Sequence, residues 1–378
     1  MSTTMSTTVL DSTHDRVSQP KGIKMPLKTH QLALVSYCRK LEDSTNNNFV
    51  PQDSDNLTIK TKLGVIGDIV GSGKTLSILS VIASKPNLRN TLPNVVNNPY
   101  VHIENSSVVR EDFVGYNLII VPHTIYKQWT DTIEKYTDLK YYGIYNKKTI
   151  DKFEDIFNDS KETGEYKKFQ ENTIILITNT RYNQFMDLSC RHWHRNYGYE
   201  NNTKFSRIIF DEADSIKIPA CSYANSSFMW FITSSYRTLL HPHGKMFYSN
   251  DQGELSYDYN YNQGFTRRVH VDGISNTGFI KDTMVNVKKI DENYRKYIIV
   301  RNHEDFVKSS FMLPDYVTHT IKCKTPFYLN ILSNHVSKEI IEHINAGDLK
   351  GAIEKVDCTK VNENDLIKGV TEELQNKL

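Results

Sequence analysis

The segment Asp68–Thr75, DIVGSGKT, constrains this chain more than any other. Apolar Leu63–Ile66 precedes it as a predicted strand. Thr75–Ala83 follows as a predicted helix, striped by Leu76, Ile78, Leu79, Val81 and Ile82. Strand, glycine-rich turn and helix in that order build a loop whose backbone N–H groups converge on an anion. Gly71 and Gly73 allow the backbone conformations such a loop needs, and the positive end of the helix dipole strengthens its field. Lys74 is placed to neutralise phosphates, and the Thr75 hydroxyl to ligate a divalent cation. The full spacing GxxxxGK[ST] is not met, because Asp68 stands where its first glycine belongs.

The rest of the chain keeps the same rhythm. Asn117–Val121, Thr173–Ile177, Arg207–Phe210, Phe228–Ile232 and Tyr297–Arg301 are short apolar runs. Helical patterns begin near Thr29 and run over Ile125–Tyr136. Short, fully apolar strands separated by helices predict an α/β fold with a parallel sheet covered on both faces. Residues 1–22 lack periodicity and are predicted to be a flexible tail, and the polar stretch Asp43–Asn56 a surface insertion. The main domain is expected over 23–320. Within it, the Tyr-, Asn- and Gly-rich stretch 241–290 is expected to be an insertion, as hairpins or a mobile excursion. Leu329, Leu332, Val336, Ile340 and Ile344 recur at helical spacing, so 321–378 is expected to be a helical extension.

The 46 basic and 44 acidic residues among 378 leave a net charge of only +2, so any nucleic-acid contact must come from local patches. Five scattered cysteines exclude a fully paired disulfide framework and fit a reducing compartment. No apolar run approaches the roughly 20 residues of a membrane helix, and the Ser/Thr-rich start has no apolar core of a secretory signal.

A second motif belongs with the first. Arg207–Asp214 reads RIIFDEAD, an apolar strand ending in acids. Ligands of parallel sheets bind at the carboxyl ends of the strands. There Asp211 is suited to hold Mg²⁺, and Glu212 to orient or deprotonate an attacking water.

The order DIVGSGKT, then IIVPHTIYKQW at 119–129, then RIIFDEAD resembles the first motor lobe of superfamily 2 helicases, and within them the Swi/Snf-type DNA translocases. Met25–Gln31 (MPLKTHQ), Thr173–Phe185, Phe228–Ser235 and Ile298–Pro314 resemble further motifs of that family, so the likeness covers about 25–345. The wording around GDIVGSGKTLSIL also resembles the helicase-like proteins of large eukaryotic DNA viruses. The resemblance implies a RecA-like P-loop lobe using ATP and Mg²⁺. In it Gln31 would contact adenine, and Gly71, Ser72, Gly73, Lys74 and Thr75 the phosphates. Lys74, Asp211 and Glu212 would be catalytic, with Mg²⁺ on Thr75 and Asp211. Asp214, Thr233, Ser234 and Ser235 would couple hydrolysis to movement. Pro122, His123, Thr124, Thr178, Thr180 and Arg181 would touch a DNA or RNA backbone, the alternative for each being an ordinary helix cap.

Three departures stand beside the likeness. Thr233-Ser234-Ser235 lacks the glycine and proline of the chromatin remodellers, and Asp214 gives a DEAD rather than a DEAH ending. No Gln-x-x-Gly-Arg-x-x-Arg pattern is found; Arg267 and Arg268 fall in the 241–290 stretch. An arginine finger is worth about 10³–10⁵ in rate. A second RecA-like lobe, in cis or in trans, is therefore an expected partner, and the chain is expected to be incomplete without it.

Two functions stay open: an ATP-dependent nucleic-acid motor, or an ATP-binding, DNA-docking, transcription-associated module without motor activity of its own. A small-molecule kinase is disfavoured, since it has no need of the DEAD strand and the Gln31 segment. Cys190, His192 and His194 offer metal ligands if alternating on a strand, but Arg191, Trp193 and Arg195 can equally form a basic-aromatic loop. An intracellular, non-secreted and non-membrane protein is expected, with nucleus, viral factory and virion unresolved.

Overall fold

The structure, a computed structural model, describes residues 7–44, 49–51, 57–89, 94–97, 102–105, 115–158, 164–197, 204–243, 245–250, 255–256, 261–271, 278–311 and 343. The chain divides into two compact units, Met1–Leu313 and Pro314–Leu378. The expected helical extension at 321–378 falls, apart from His343, outside the described residues.

The first unit is built on one eight-stranded sheet. Its strands are β1 (Thr8–Leu10), β2 (Leu63–Ile66), β3 (Asn117–Val121), β4 (Tyr141–Ile144), β5 (Ile174–Thr178), β6 (Lys204–Phe210), β7 (Asn225–Ile232) and β8 (Ile299–Asn302). They lie in the order β1-β8-β2-β7-β6-β3-β5-β4, and every neighbouring pair is parallel. Both faces are covered by helices: α1 (Thr29–Asp43), α2 (Lys74–Ser84), α3 (Tyr126–Tyr136), α4 (Lys147–Asn158), α5 (Tyr182–Tyr197), α6 (Phe279–Lys289) and α7 (Glu304–Ser310). The α/β expectation holds.

Alternation along the strands divides the core in two. Ile119, Val121, Ile209, Trp230 and Ile232 pack beneath α1, α2 and α3 with Val35, Ile78 and Trp129. Leu118, Ile120, Ile208, Phe210 and Phe231 pack on the other face with Phe185, Phe279 and Met284. A strand buried on both sides has to be apolar throughout, which is why these runs were readable as strands. Gly64 pairs in register with Trp230. A Cβ there would lie far inside contact distance of the indole, so the glycine makes room for the ring.

One buried polar knot fastens α1 to the sheet. Arg207 donates from Nε and Nη2 to the two carboxylate oxygens of Glu42, 2.6 Å each. Its Nη1 reaches the Lys85 carbonyl and Asn117 Oδ1, 2.9 Å each, and Trp230 Nε1 donates to Glu42 Oε1 at 2.8 Å. A buried charge pair survives desolvation only when its remaining hydrogen-bonding capacity is also met, as it is here.

Three expectations are corrected. The tail over 1–22 is not a tail throughout: Thr8–Leu10 pairs with Val300–Asn302 as the edge strand β1. Within 241–290, a three-stranded antiparallel sheet of Lys245–Ser249, Leu255–Ser256 and Arg267–Val271 fits the hairpin expectation. However, Phe279–Lys289 is a helix whose Phe279, Ile280, Met284 and Val287 enter the main core, so that end of the stretch is no excursion. The stretch Cys190–Tyr197 belongs to α5 and not to a strand. The alternation that would have aligned Cys190, His192 and His194 is therefore absent, since a helix repeats every 3.6 residues. Among the described residues, no helix is long and apolar enough to cross a membrane.

Candidate functional site: the phosphate loop and the acidic tip

Two strand ends meet at one edge of the sheet. The phosphate loop leaves the carboxyl end of β2 and the acids leave that of β6, with β7 between them. Thr233 N, just past β7, donates to Ile66 O at 3.0 Å on one side, and Ala213 N donates to Ile232 O at 3.0 Å on the other. The loop and the acids are thereby fastened to consecutive residues of the intervening strand.

The loop has the form an anion requires. Gly71 and Gly73 adopt φ of +82° and +81°, which other residues rarely tolerate. Gly73 opens α2 with no side-chain cap, so the first N–H groups of that helix lack intrahelical acceptors. Ser72 Oγ is buried with no hydrogen-bond partner. The Lys74 ammonium donates to the carbonyls of Asp68 and Ile69, 3.0 Å each, and is thus held over its own loop. These open donors and the nearby cation fit a polyphosphate.

The unusual Asp68 has a structural partner. Its carboxylate is buried and accepts from Asn302 N and from Asn302 Nδ2, the latter at 2.7 Å. The loop is thus pinned to the end of β8, whose chain continues into α7. From α1, His30 Nε2 donates to the Ser72 carbonyl at 2.8 Å. Gln31 accepts from Lys28 N at 2.9 Å and donates to the Gly73 carbonyl at 3.3 Å. Each amide atom of Gln31 retains a second hydrogen-bonding position.

At the acidic tip, Glu212 is held at φ +49°, a left-handed conformation that is strained for a side-chain-bearing residue. This kink turns the chain sharply after β6. Asp211 is buried and accepts from Trp129 Nε1 at 2.7 Å and from Glu212 N at 3.0 Å. Burial pushes the Asp211 carboxyl above the usual carboxylate range, against the pull of the Trp129 bond and the Lys74 charge. Glu212 is also raised, by burial first and then by Asp211 and Asp214, with Lys74 opposing. Lys74 acts on both acids, so the cation and the carboxylates share one electrostatic neighbourhood. Asp211 and Glu212 are thus two adjoining acids raised by burial and by neighbouring carboxylates. Thr75 lies at the start of α2 on the same edge.

Thr233 Oγ1 donates to Asp214 Oδ1 and accepts from Ser235 N. Ser234 lies between them, half-buried. The acidic tip and the segment after β7 therefore form one hydrogen-bonded unit.

The expected nucleic-acid residues follow β3 and β5, adjacent strands on the same edge. His123 and Thr124 are exposed, Pro122 is half-buried and Thr180 is exposed. Arg181 donates to Gln184 at 3.3 Å while its Nε has no partner. Thr178 is the correction: as the last residue of β5 it is fully buried, its hydroxyl bonded to that of Thr180 at 3.2 Å, so it cannot face a backbone phosphate.

Sequence reasoning missed Trp129 as a partner of Asp211, His30 as a prop for the loop, and Asn302 as a clamp. Each bond joins residues far apart in the chain. Cavities of about 370 Å³ and 570 Å³ lie elsewhere, lined by Tyr37, Lys40 and Lys296, and by Lys140, Tyr142 and Lys168. The phosphate loop and the acids line neither of these two.

A RecA-like lobe with its phosphate loop and acidic tip on one strand edge places the protein among helicase-type ATPase folds. The SNF2-related domain model matches residues 30–241, more than half of the chain, and the chain belongs to that family. It is also similar to a candidate helicase of Acanthamoeba polyphaga mimivirus, at 21% identity over 443 residues. That alignment covers 98% of this chain and 47% of the mimivirus protein, so the chain spans about half the length of this relative.

Proposed function

We propose that this chain is the first motor lobe of an ATP-dependent nucleic-acid helicase or translocase. The observation that carries this is the meeting of DIVGSGKT and DEAD at one strand edge, with Lys74 acting on both Asp211 and Glu212. The backbone N–H groups of 71–75 and the Lys74 ammonium bind the β- and γ-phosphates of ATP, and Gln31 offers its spare amide positions to the base. Thr75 and Asp211 hold Mg²⁺, which when bound neutralises charge on the phosphates. Glu212 is half-buried beside this seat and orients the attacking water. Its raised pKa makes it a stronger proton acceptor than an ordinary carboxylate.

Nucleic acid, DNA in preference to RNA, lies along His123, Thr124, Thr180 and Arg181. Exposed hydroxyls, an imidazole and a guanidinium suit phosphate contacts that position a strand without reading its sequence. The Thr233–Asp214 bond ties the acidic tip to the segment 233–235, a route by which phosphate release can move that segment. The phosphate loop and the acidic tip form one wall of a cleft, and a second RecA-like lobe supplies the other wall together with the arginine that stabilises transferring charge.

The test is ATP turnover by the chain together with the second lobe, with and without DNA or RNA. Turnover is expected to rise with nucleic acid and to vanish in Glu212→Gln while ATP is still bound. Tight ATP and DNA binding with no stimulation under any pairing favours the docking-module reading instead.

A further inference from the structure

A third strand end lies on the edge that carries the loops 122–124 and 178–181. The strand order β3-β5-β4 brings the segment after β4 next to that after β5. Here the chain reads Tyr145-Asn146-Lys147-Lys148. Tyr145 is 43% exposed. It packs on Tyr126, at the start of α3, with ring centres 5.4 Å apart and planes tilted by 40°.

This corner is rigidly built. Tyr145 N and Asn146 N both donate to Thr149 Oγ1 at 3.0 Å, and Thr149 N donates to Asn146 Oδ1 at 2.9 Å. The hydroxyl end of Tyr126 lies over Gly143, where any Cβ would collide with it. The glycine therefore makes room for the hydroxyl end of Tyr126, whose ring packs on that of Tyr145. Burial raises the Tyr126 phenol well above its ordinary pKa, so the ring stays neutral. Lys147 and Lys148 are exposed and form no ion pair among the described residues, while nearby Lys127 is paired with Asp131 at 3.0 Å.

We propose that Tyr145, backed by Tyr126 and flanked by Lys147 and Lys148, is a stacking platform for a base of single-stranded nucleic acid. It rests on the reading of 122–124 and 178–181 as a nucleic-acid face, and extends that face by one strand. An exposed ring on a fixed support offers a base a flat partner at little entropic cost, and stacking tolerates any sequence. Two lysines beside it meet the adjoining phosphates. The bases of a duplex are already stacked on each other, so the platform selects an unpaired strand or a frayed end.

The test is equilibrium binding, without nucleotide, of the full chain to oligonucleotides carrying the fluorescent base 2-aminopurine. Single-stranded DNA, single-stranded RNA and a duplex of the same sequence form the three arms. Tyr145→Ala is expected to weaken single-strand binding roughly 5- to 150-fold and abolish the stacking quench, leaving the salt slope and the duplex affinity unchanged. Tyr145→Phe should restore binding and quench. The double variant Lys147→Ala, Lys148→Ala should flatten the salt slope by about one to two while the quench persists on the bound strand. Unaltered single-strand affinity in Tyr145→Ala, alongside a loss in Arg181→Ala, overturns the platform and leaves the face intact. An equal loss on duplex and single strand overturns it too, because the tyrosine would then be touching backbone. No binding by the wild-type chain in any arm sinks both the platform and the face.

Discussion

Asp211 concentrates the conflict between stability and function in one carboxyl group. Burial raises its pKa, so the folded protein binds this proton more tightly than the unfolded chain does. For such a group, stability is fullest below the unfolded pKa and is lost as pH rises through the folded one. Ionising Asp211 in the ligand-free fold is thus a cost, which a cation beside it would relieve. Asp211→Asn is expected to flatten the change in melting temperature of the nucleotide-free protein between mildly acid and neutral pH, since it removes the titrating group. The same variant should lose the Mg²⁺-dependent part of nucleotide affinity. A pH dependence of melting unchanged from the wild type would show that Asp211 does not set it. Trp129 makes the complementary case. Its indole N–H is a direct donor to Asp211, and Trp129→Phe leaves Asp211 Oδ2 short of a partner, at about 1–3 kcal/mol. Denaturant melts should register that loss, and Mg²⁺ titration should show a weaker seat. A variant with wild-type Mg²⁺ response would make the indole a matter of packing alone.

At the scale of elements, the Glu42–Arg207 pair decides how α1 is seated. Both side chains are buried and the pair is bidentate, with Trp230, Asn117 and the Lys85 carbonyl filling the remaining positions. Glu42→Gln removes one charge and strands the other, at about 3–5 kcal/mol. It should also weaken nucleotide binding, because α1 carries His30 and Gln31 to the loop. Chemical denaturation measures the first effect; a shift under 1 kcal/mol would mean that water reaches the guanidinium. The sequence made some of these elements plain and hid others. Strands β2, β3, β5, β6 and β7 were readable because burial on both faces demands unbroken apolar runs. Strand β1 was hidden, since three residues in a Ser/Thr-rich stretch carry no period and their order comes from pairing with β8. Strand β4, YYGI, was hidden because an edge strand half-covered by aromatics lacks the apolar signature. The loop's strand–turn–helix form was legible from Gly71, Gly73 and the apolar runs on either side. Its props were not, because His30, Asn302 and Trp129 meet their partners only after the chain has folded.

Taken whole, the first unit is a sheet with its chemistry gathered along one edge. The loop after β2, the acids after β6, the segment 233–235 after β7 and the turns after β3, β5 and β4 all open the same way, since every strand runs parallel. Under the proposed function, that geometry would let one lobe hold a nucleotide and a strand at neighbouring points of a single rim. The central claim is that the lysine loop and the acidic tip grip one Mg²⁺–triphosphate together. It is tested most directly by titrating a fluorescent ATP analogue into the full chain with Mg²⁺ and with EDTA, for the wild type, Lys74→Ala and Asp211→Asn. The account predicts saturable binding by the wild type that Mg²⁺ strengthens, binding abolished or severely weakened in Lys74→Ala, and residual, Mg²⁺-independent binding in Asp211→Asn. Wild-type affinity in Lys74→Ala, or an undiminished Mg²⁺ effect in Asp211→Asn, would contradict it.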